Sequence, residues 1–274
     1  MSFVDRYGPW AVVAGASEGV GASAARLLGE RGINIVLVSR RAEALREVAE
    51  SVPSATRTVA LDLSLPDAAG RLAHATADLD VGLLIYNAGA DPNPSAFLDQ
   101  PVENAQSLVA RNCVTVLGAA HHFAGLMVKR GSGGLVLVSS GAAWAGGAHL
   151  AAYGASKAFD LILAESLWAE LGPQGVDVLA MVLGRTDTPA YRRVLAGREI
   201  DGLADPDDVA RDMLDNLANG PTFPPDPSPL GALPRRQAVE LMSRGAASGP
   251  AAAARRTGLP AVDVDPRRRQ VRWA

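Results

Sequence analysis

Tyr153 and Lys157 stand four residues apart in the stretch YGASK, with only small side chains between them. Residues at this spacing share one face of a helix, so the ammonium group can lie beside the phenol. A free tyrosine releases its proton only near a pH of about 10, and a neighbouring cation favours the phenolate. The pair could therefore exchange a proton with a substrate near neutral pH. The spacing alone is common by chance, and its meaning depends on the surrounding elements.

A glycine-rich turn follows the first apolar run of the chain, Trp10–Ala14. It contains Gly15, Gly19 and Gly21 and leads into a helical pattern over Val20–Arg31. Glycines in such a turn let backbone approach a ligand closely, and the N–H groups at the start of the next helix favour a phosphate. Glycine-rich turns also make plain strand–helix connections. At the start of a strand–helix–strand unit, we favour dinucleotide binding.

The end of the second apolar run bears on the choice between NAD and NADP. A carboxylate at this point would bind the ribose hydroxyls of NAD, whereas this chain has Ser39, Arg40 and Arg41. A guanidinium can pair with the 2′-phosphate that only NADP carries. We assign that contact to Arg40, assisted by Ser39, and expect the other arginine to begin a solvated helix. Glu18 in the glycine turn is an acid where a second base would favour NADP, so NAD(H) stays as the alternative.

Short apolar runs alternate with helical patterns over the first two-thirds of the chain. The runs predict strands at Trp10–Ala14, Ile33–Val38, Thr58–Leu61, Val81–Tyr86, Leu135–Ser139 and Val176–Leu183. They are continuous rather than alternating, which is typical of strands buried on both faces of a parallel sheet. Helices are predicted at Val20–Arg31, Ala42–Ser51, 102–130, Tyr153–Leu171 and Asp207–Leu217. The order predicts an α/β fold, a Rossmann-like doubly wound parallel sheet of about seven strands with helices on both faces.

The chain is predicted to form one catalytic domain over residues 1–220, followed by a C-terminal extension over 221–274. Half of the 18 prolines lie in the extension, which is also rich in alanine and arginine. It holds one amphipathic helix candidate, Arg235–Arg244, and we predict that residues 245–274 are mobile or loosely docked. Residues 189–204 are predicted to form a lid over the substrate.

Bulk properties restrict the class of protein. The net charge of −3 over 274 residues offers no basic field for nucleic acid. The single cysteine, Cys113, fits a reducing compartment. The N-terminus does not resemble a signal peptide, and no apolar run is long enough for a membrane span, so a cytoplasmic location is expected. His121 and His122 are adjacent without a cysteine or carboxylate pattern nearby, and no metal site is predicted.

Five motifs occur in an order that resembles the short-chain dehydrogenase/reductase family. They are Gly15-x-x-x-Gly19-x-Gly21, Asn87-Ala88-Gly89, Asn112, Ser140 and Tyr153-x-x-x-Lys157. The resemblance runs from about Trp10 to Thr188. It implies an oxidoreductase that uses a nicotinamide cofactor to interconvert a carbonyl and an alcohol, with Tyr153 as the general acid and base. The family varies most beyond Pro189, so nothing is carried over there.

The resemblance implies a catalytic set of Asn112, Ser140, Tyr153 and Lys157. Ser140 lies thirteen residues before Tyr153, which is the usual separation in the family, and is preferred to Ser139. Its hydroxyl can bind the substrate oxygen; capping a turn is its alternative role. Asn112 is poor for helix propensity, and we expect it to hold a water that links Lys157 to solvent. The alternative is an asparagine bonded to neighbouring backbone.

The resemblance also implies a cofactor site at the strand ends. Its predicted residues are Gly15, Ser17, Gly19, Val20, Gly21, Ser39, Arg40, Asp62, Leu63, Asn87, Ala88, Gly89, Tyr153, Lys157, Gly184, Thr186 and Thr188. Asp62 is placed to accept from the adenine amino group or to cap a helix. Leu183 stands where the family usually has proline. The substrate pocket is expected at Trp144, His149, Leu150 and Tyr191, with a plain surface loop as the alternative for His149.

The sequence therefore predicts an oxidoreductase that prefers NADP(H) and acts on a mainly apolar ketone or aldehyde and its alcohol. No nucleic acid partner or integral membrane association is expected. The helices at 102–130 and 153–171 are where this family assembles, which implies a homodimer or homotetramer. The competing hypothesis is a nicotinamide-nucleotide-binding sensor or scaffold without turnover. A binding-only role would not need all four catalytic residue types.

Overall fold

The computed structural model describes residues 2–224, 233 and 235–247. Its sheet consists of β1 (Trp10–Ala14), β2 (Asn34–Ser39), β3 (Thr56–Ala60), β4 (Val81–Tyr86), β5 (Gly133–Ser140), β6 (Val176–Leu183) and β7 (Thr222–Phe223). All neighbours pair in parallel, in the order β3-β2-β1-β4-β5-β6-β7. The winding direction reverses between β1 and β4, which opens a crevice at the carboxyl ends of these strands. The predicted α/β fold is confirmed.

Helices cover both faces of the sheet. They are α1 (Phe3–Tyr7), α2 (Gly19–Glu30), α3 (Ala42–Ser51), α4 (Ala68–Ala75), α5 (Val102–Val109), α6 (Thr115–Arg130), α7 (Ala151–Leu171), α8 (Pro189–Leu195), α9 (Pro206–Asp215) and α10 (Arg235–Ala247). One apolar core lies between the sheet and α2, α3 and α9, and a second lies between the sheet and α4, α6 and α7. The layers match a doubly wound sheet.

Each central strand supplies side chains to both cores. In β1, Ala11 and Val13 face the α2 side, whereas Val12 and Ala14 face the α7 side. All four are fully buried. Since successive side chains of a strand point to opposite faces, a strand covered on both sides needs an uninterrupted apolar run. This explains why the strands were recognisable in the sequence without any alternation.

The predicted helix over 102–130 is present but is not uniform. It consists of α5, a π-helical segment at Ala110–Val114, and α6. Asn112 lies at the centre of the π-helical segment and is fully buried. Segments of this kind are rare and occur frequently at functional sites. The sequence pattern could not distinguish this local widening from ordinary helix.

Several short elements were not predicted, namely α1, α4, α8 and β7. β7 has only two residues and pairs through Thr222 and Phe223 with Ala180 and Met181 of β6. Such an edge strand exists only because β6 offers free backbone groups, so its own sequence carries little signal. The other core-forming elements were recognised, with shifts of a few residues at their ends, and α4 is the core helix that was missed.

Part of the C-terminal extension contacts the domain. The predicted helix 235–244 is found as α10, three residues longer. The backbone N–H of Ala148 donates to Ser243 Oγ at 3.0 Å, and a Cβ atom at Gly147 would lie 2.7 Å from Met242 Cγ. α10 therefore lies against the loop between β5 and α7. The remaining predicted mobile residues, 248–274, lie outside the described part of the chain.

Candidate active site

The glycine turn packs directly on the strand end after β4. Gly15 has φ +85°, and a Cβ atom there would lie 2.7 Å from the backbone nitrogen of Ala88. A Cβ atom at Gly21 would collide with the Gly15 carbonyl oxygen. Asn87 Nδ2 donates to that same oxygen at 3.1 Å. Glycines are therefore required at both positions, and the turn and the Asn87-Ala88-Gly89 segment meet at the crevice.

Gly19 lets the start of α8 approach the glycine turn. A Cβ atom at Gly19 would lie 2.8 Å from Thr188 Cγ2. Thr188 caps α8, because its Oγ1 accepts from the Tyr191 N–H at 3.1 Å. The predicted lid, residues 189–204, begins directly after this threonine. Val20, the next residue of the turn, is buried in the core and contributes its backbone to the start of α2.

The base of the lid is closed by backbone hydrogen bonds. Thr186 is buried and pairs as a parallel bridge with Ala204, and its Oγ1 donates to the Gly184 carbonyl at 3.3 Å. The Asp187 N–H donates to the Ala204 carbonyl at 2.9 Å. The two ends of residues 189–204 therefore meet beside β6. This segment forms a loop that contains α8, anchored at Thr186.

The two arginines after β2 point in different directions. Arg41 donates to Ser17 Oγ at 3.0 Å and pairs with Glu18 at 2.7 Å. Its backbone N–H also bonds to Ser39 Oγ at 3.1 Å. Arg40 is exposed and lines an open cavity, where its charge acts on Asp62. The guanidinium that binds the glycine turn is thus that of Arg41.

Asp62 forms a local turn rather than a helix cap. Its Oδ1 accepts from the Ser64 N–H at 2.9 Å and from Ser64 Oγ at 2.7 Å. Partial burial tends to raise the pKa of Asp62, but the bonds from Ser64 outweigh it and the pKa lies below its ordinary value. The helix-cap alternative is wrong, since α4 begins after Asp67. Next to it, Leu63 is buried and its carbonyl accepts from Thr115 Oγ1 at 2.8 Å.

Lys157 is almost completely buried beneath the crevice. Its Nζ donates to the Val138 carbonyl at 2.8 Å and to Asp160 Oδ2 at 2.9 Å. A Cβ atom at Gly89 would lie 2.5 Å from Nζ, so a larger residue there would displace the ammonium group. Tyr153, one turn earlier on α7, lines the open cavity. The ammonium therefore lies between the cofactor-side strand end and the tyrosine helix.

Asn112 ties three elements of the site together. Its Nδ2 donates to the Gly89 carbonyl at 3.0 Å and to Ser156 Oγ at 2.9 Å. Its Oδ1 accepts from Arg111 Nε at 3.2 Å, and Ser156 Oγ donates to the Tyr153 carbonyl at 2.8 Å. Both amide N–H groups are thus bonded to protein. This arrangement corresponds to the backbone-bonded alternative, with the backbone of Gly89 rather than that of the neighbouring residues.

Ser139 and Ser140 have separate tasks at the end of β5. Ser139 is buried, and its Oγ donates to the Lys157 carbonyl at 2.7 Å. Ser140 is half-buried, and its Oγ accepts from the Ala142 N–H at 3.3 Å, which caps a short 3₁₀ turn. The turn-capping role expected as its alternative is therefore present. The geometry leaves Ser140, and not Ser139, available at the strand end.

The open cavity has a volume of about 200 Å³ and lies beside Tyr153. Its lining includes His149 and Leu150, as well as Phe97 and Arg111 from the opposite side. His149 has φ +66°, which is uncommon for a residue with a side chain, and its buried Nδ1 has no hydrogen-bond partner within the described residues. Both observations mark His149 as more than a surface loop residue.

Two predicted pocket residues lie elsewhere. Trp144 is half-buried and packs against the core between the sheet and α7. Tyr191 belongs to the first turn of α8, in the lid. Neither lines the open cavity beside Tyr153.

Three contributors to the site were not recognised in the sequence, namely Ser156, Asp160 and Arg111. Ser156 lies within YGASK, and helical spacing alone would have placed it near Asn112 only if the fold were known. Asp160 falls at i+3 from Lys157, a spacing that brings two side chains together on a helix. A charged residue on an otherwise apolar helix face was the signal that could have identified Asp160.

Within residues 2–224 and 235–247, no three His, Cys, Asp or Glu side chains are grouped so that they could hold a metal ion. In the same part of the chain, no helix combines the length and apolar character needed to cross a bilayer. Cys113 is a half-buried free thiol. Burial raises the pKa of Cys113, which makes its thiolate less accessible and agrees with a packing role.

Comparison with known proteins identifies the family to which the chain is similar. The short chain dehydrogenase family model matches residues 9–199. A 7β-hydroxysteroid dehydrogenase of Clostridium sardiniense is 31% identical over 229 residues, which cover 81% of this chain and 87% of the relative. A solved structure from work on 7β-hydroxysteroid dehydrogenase stereoselectivity superimposes with a TM-score of 0.74 at 30% identity, covering 81% of this chain and 89% of the other.

A short-chain dehydrogenase from Sphingobium yanoikuyae, solved in complex with NADPH, superimposes with a TM-score of 0.71 at 26% identity. The superposition covers 95% of this chain and 100% of the other chain. The family model spans more than half of the chain, including the glycine turn, Asn112, Ser140, Tyr153 and Lys157. The chain therefore belongs to the short-chain dehydrogenase/reductase family of oxidoreductases.

Proposed function

We propose that the protein is an NADP(H)-dependent oxidoreductase that interconverts a mainly apolar ketone or aldehyde and its alcohol, with Tyr153 as general acid and base. The observation that carries the proposal is the position of Lys157. Its buried Nζ lies against Gly89 at the crevice, on the same helix as Tyr153 in the open cavity. An arrangement that only bound a nucleotide would not need the phenol in a cavity.

The residues of the crevice fit a nicotinamide dinucleotide. Gly15 and Gly21 keep the backbone free of side chains where the turn meets the strand end after β4, and the start of α2 offers N–H groups to a pyrophosphate. Ser17, Asn87-Ala88-Gly89, Gly184, Thr186 and Thr188 line the same edge of the sheet. The bound cofactor would supply or accept the hydride.

The chain's own residues then manage the proton. Tyr153 would donate its phenolic proton to the carbonyl oxygen during reduction and take it back during oxidation. Lys157 would favour the phenolate through its positive charge, and Ser140 would donate to the same substrate oxygen. Asn112 would hold the Gly89 carbonyl and Ser156 in place, because its amide bonds to both. This network fixes the helix that carries Tyr153.

The preference for NADP(H) is supported by the residues after β2. Arg40 is exposed and makes no ion pair within the described residues, so its guanidinium is free to meet a phosphate. Arg41 is already engaged by Glu18. Ser39 would assist Arg40 at the strand end. The NADPH complex of the Sphingobium protein agrees with this assignment.

The cavity lining is mixed, since polar side chains such as Asp91, Asn93 and Gln100 stand beside apolar ones, and only its apolar part supports a mainly apolar substrate. Phe97, Leu108 and Leu150 contribute apolar surface beside Tyr153. The unpartnered Nδ1 of His149 would bond to a polar substituent of the substrate. Tyr191 and Trp144 would enter the pocket only through movement of the lid and the loop after β5. A relative that acts on a hydroxysteroid is consistent with a bulky carbonyl substrate.

A homodimer or homotetramer is supported by exposed apolar side chains on the outer helices. Two of them lie just before and within α6, Val114 at 58% exposure and Leu117 at 50%. Two lie on α7, Ile162 at 59% and Trp168 at 42%. Apolar surface of this kind is typical of an interface between protein copies. We expect these helices to meet in a symmetric assembly.

The decisive experiment compares Tyr153→Phe with the parent. The variant keeps the ring but lacks the proton, so we expect turnover to fall by about a thousandfold or more while NADPH binding, followed by fluorescence, stays within about threefold. Tyr7→Phe is the matched control, because Tyr7 donates to Asp177 at the start of β6, far from the crevice. It should keep its turnover. Equal activity of parent and Tyr153→Phe would refute the catalytic assignment.

The substrate class is tested by a panel of carbonyl compounds with the preferred nucleotide. We expect bulky apolar ketones to have higher kcat/KM than small sugars. His149→Ala should raise KM for the best substrate by about tenfold with little change in kcat, since it removes a binding contact and not a proton donor. A change in kcat alone would contradict this role for His149.

A further inference from the structure

The polar face of α7 extends one turn beyond the tyrosine and lysine. Asp160 follows Lys157 at i+3, and both side chains are almost completely buried, at 3% and 4% exposure. The rest of this face is apolar, with Leu161 and Ala164 in the core. A carboxylate in such surroundings is costly unless it is paired, so its position calls for a specific partner.

Asp160 has that partner in the lysine itself. Its Oδ2 accepts from Lys157 Nζ at 2.9 Å, and its other oxygen has no hydrogen-bond partner within the described residues. Nζ has three N–H groups, of which one bonds to Asp160 and one to the Val138 carbonyl. The two bonds fix the direction of the third N–H group. Gly89, which has no side chain, lies beside Nζ on the crevice side.

We propose that Asp160 is a positioning residue for the catalytic reaction: it keeps the Lys157 ammonium charged and holds its free N–H group toward the crevice at Gly89. Without the carboxylate, the ammonium would be an isolated charge in an almost dry site, where the neutral amine is favoured. A neutral amine could not favour the phenolate of Tyr153. The carboxylate thus acts on the reaction only through Lys157.

Other titratable groups face the pair from the neighbouring elements. They are Tyr86 at the end of β4 and Cys113 in the π-helical segment. Burial raises the pKa of Tyr86 well above its ordinary value, so it is neutral at working pH. Burial also raises the pKa of Asp160, with Lys157 opposing the rise. Lys157 is the one cation that bonds to the Asp160 carboxylate among the described residues.

The lysine content of the chain makes this inference measurable without cofactor or substrate. The sequence has only two lysines, Lys129 and Lys157. Lys129 is exposed at the end of α6 and serves as an internal reference. Protein labelled with ¹³C and ¹⁵N at lysine gives two side-chain signals, and the variant Lys129→Arg assigns them. The loss of the ammonium proton can then be followed against pH by NMR.

Asp160→Asn removes the charge but keeps the shape and a hydrogen-bond acceptor. We expect the Lys157 signal to lose its ammonium proton at least about one pH unit lower than in the parent, while the Lys129 signal does not move. In the loaded enzyme, kcat for alcohol oxidation should fall about tenfold, and the loss should grow with pH as the amine becomes neutral. A merely structural role would lower kcat by one factor at every pH.

Asp177→Asn is the matched control. Asp177 is also a largely buried carboxylate, 16% exposed, that binds Arg6 and Tyr7 at the opposite end of the sheet. Its loss should reduce stability without changing the lysine titration or the shape of the pH profile. If Asp160→Asn does not fold, Asp160→Glu and Asp160→Gln give the same comparison, since they differ only in charge. We expect the parent titration with Glu and the shifted titration with Gln.

The inference is overturned if the Lys157 titration is the same with and without the carboxylate, or if Asp160→Asn raises kcat. It rests on the proposed function of Tyr153 and Lys157, and the two can fail separately. Full turnover in Tyr153→Phe would remove the proposed function and leave the NMR result standing. Loss of turnover in Tyr153→Phe, with an unchanged Lys157 titration in Asp160→Asn, would remove the role of Asp160 alone.

Discussion

Two carboxylates flank the crevice and hold cations in opposite surroundings. Asp160 binds Lys157 in the interior, whereas Glu18 binds Arg41 and Arg193 at the partly exposed glycine turn. Burial raises the pKa of Asp160. Partial burial pulls the pKa of Glu18 in the same direction, but hydrogen bonds from Arg193 and Arg41 outweigh it and the pKa falls below its ordinary value. The shift of the carboxylate pKa is therefore upward in the buried pair and downward in the partly exposed cluster.

The contrast suggests different uses. A buried pair is costly to break, because either partner alone would be left charged in a dry site, so it holds one geometry. The exposed cluster contributes little to stability and can exchange partners with an arriving anion. It links the glycine turn to α8 in the lid through Arg193, and to the end of β2 through Arg41. We therefore expect the interior pair to keep one geometry and the surface cluster to rearrange when an anion binds.

The largest expected effect is on stability at the buried pair. Asp160→Leu leaves the buried Lys157 ammonium without its counter-charge and should lower the free energy of unfolding by about 3–5 kcal/mol. The double variant Lys157→Met/Asp160→Leu should lie within about 1 kcal/mol of the parent, because neither charge remains. Urea unfolding at neutral pH measures both. Equal losses in the single and double variants would mean that the two side chains are not energetically coupled.

A second effect concerns the two arginines after β2. Arg40→Ala should weaken NADPH binding by about ten- to a hundredfold and leave NADH binding unchanged, because only NADPH carries the 2′-phosphate. Arg41→Ala should have a smaller effect, since its guanidinium already binds Glu18 and Ser17. Fluorescence titration with both nucleotides gives the ratio. A larger loss with Arg41→Ala would transfer the phosphate contact to Arg41.

A smaller effect is expected at Glu18. Glu18→Gln releases Arg41 and Arg193 from their carboxylate, so NADPH should bind more tightly by less than about fivefold, as expected for a partly exposed pair. The gain should shrink at high salt. Isothermal titration at two salt concentrations tests it. Asp78→Asn, which breaks the exposed pair with Arg57 at the opposite end of the sheet from the glycine turn, is the control and should bind NADPH as the parent does.

The smallest effect is the pH dependence of stability, where the two carboxylates should act in opposite directions. The folded state raises the pKa of Asp160 above 3.8, so its contribution to the free energy of unfolding grows as pH falls toward that value. The folded state lowers the pKa of Glu18 below 4.5, so its contribution is lost as pH falls through the lowered value.

Urea unfolding from neutral to acidic pH separates the two contributions. The difference between the parent and Asp160→Asn should increase on acidification, and the difference between the parent and Glu18→Gln should decrease. If both differences changed in the same direction on acidification, solvent access would not govern the pKa shifts of these pairs. Each curve is compared with the parent at the same pH, so the titration of other groups cancels.

Much of the fold was accessible from the sequence because its signals are local. A strand buried on both faces must be an uninterrupted apolar run, and all six predicted strands lie within two residues of their predicted limits at each end. The glycines of the turn were recognisable because Gly15 needs a positive φ and Gly21 a bare Cα. Short elements such as β7 were missed, since their stability comes from the neighbouring strand.

The candidate site was accessible to a lesser degree. The types and spacing of Ser140, Tyr153 and Lys157 pointed to proton transfer, since helix geometry sets the distance between i and i+4. The sequence separated Arg40 from Arg41, but the binding of Arg41 to the glycine turn could not be derived. Adjacent residues after a strand end diverge according to backbone direction and nearby partners, and the partner of Arg41 lies more than twenty residues earlier, in the glycine turn.

The amino-acid order alone determines the strands, the glycine turn and the helical spacing of the catalytic pair, because these depend on contacts between residues a few positions apart. The burial of Asp160, the widened helical turn at Asn112 and the approach of Thr188 to Gly19 depend on segments far apart in the chain. These features form only when the sheet and its helices pack, because packing decides which surfaces exclude water. A carboxylate three residues after a lysine is common in sequence, and it becomes the buried partner of the Lys157 ammonium only inside the folded protein.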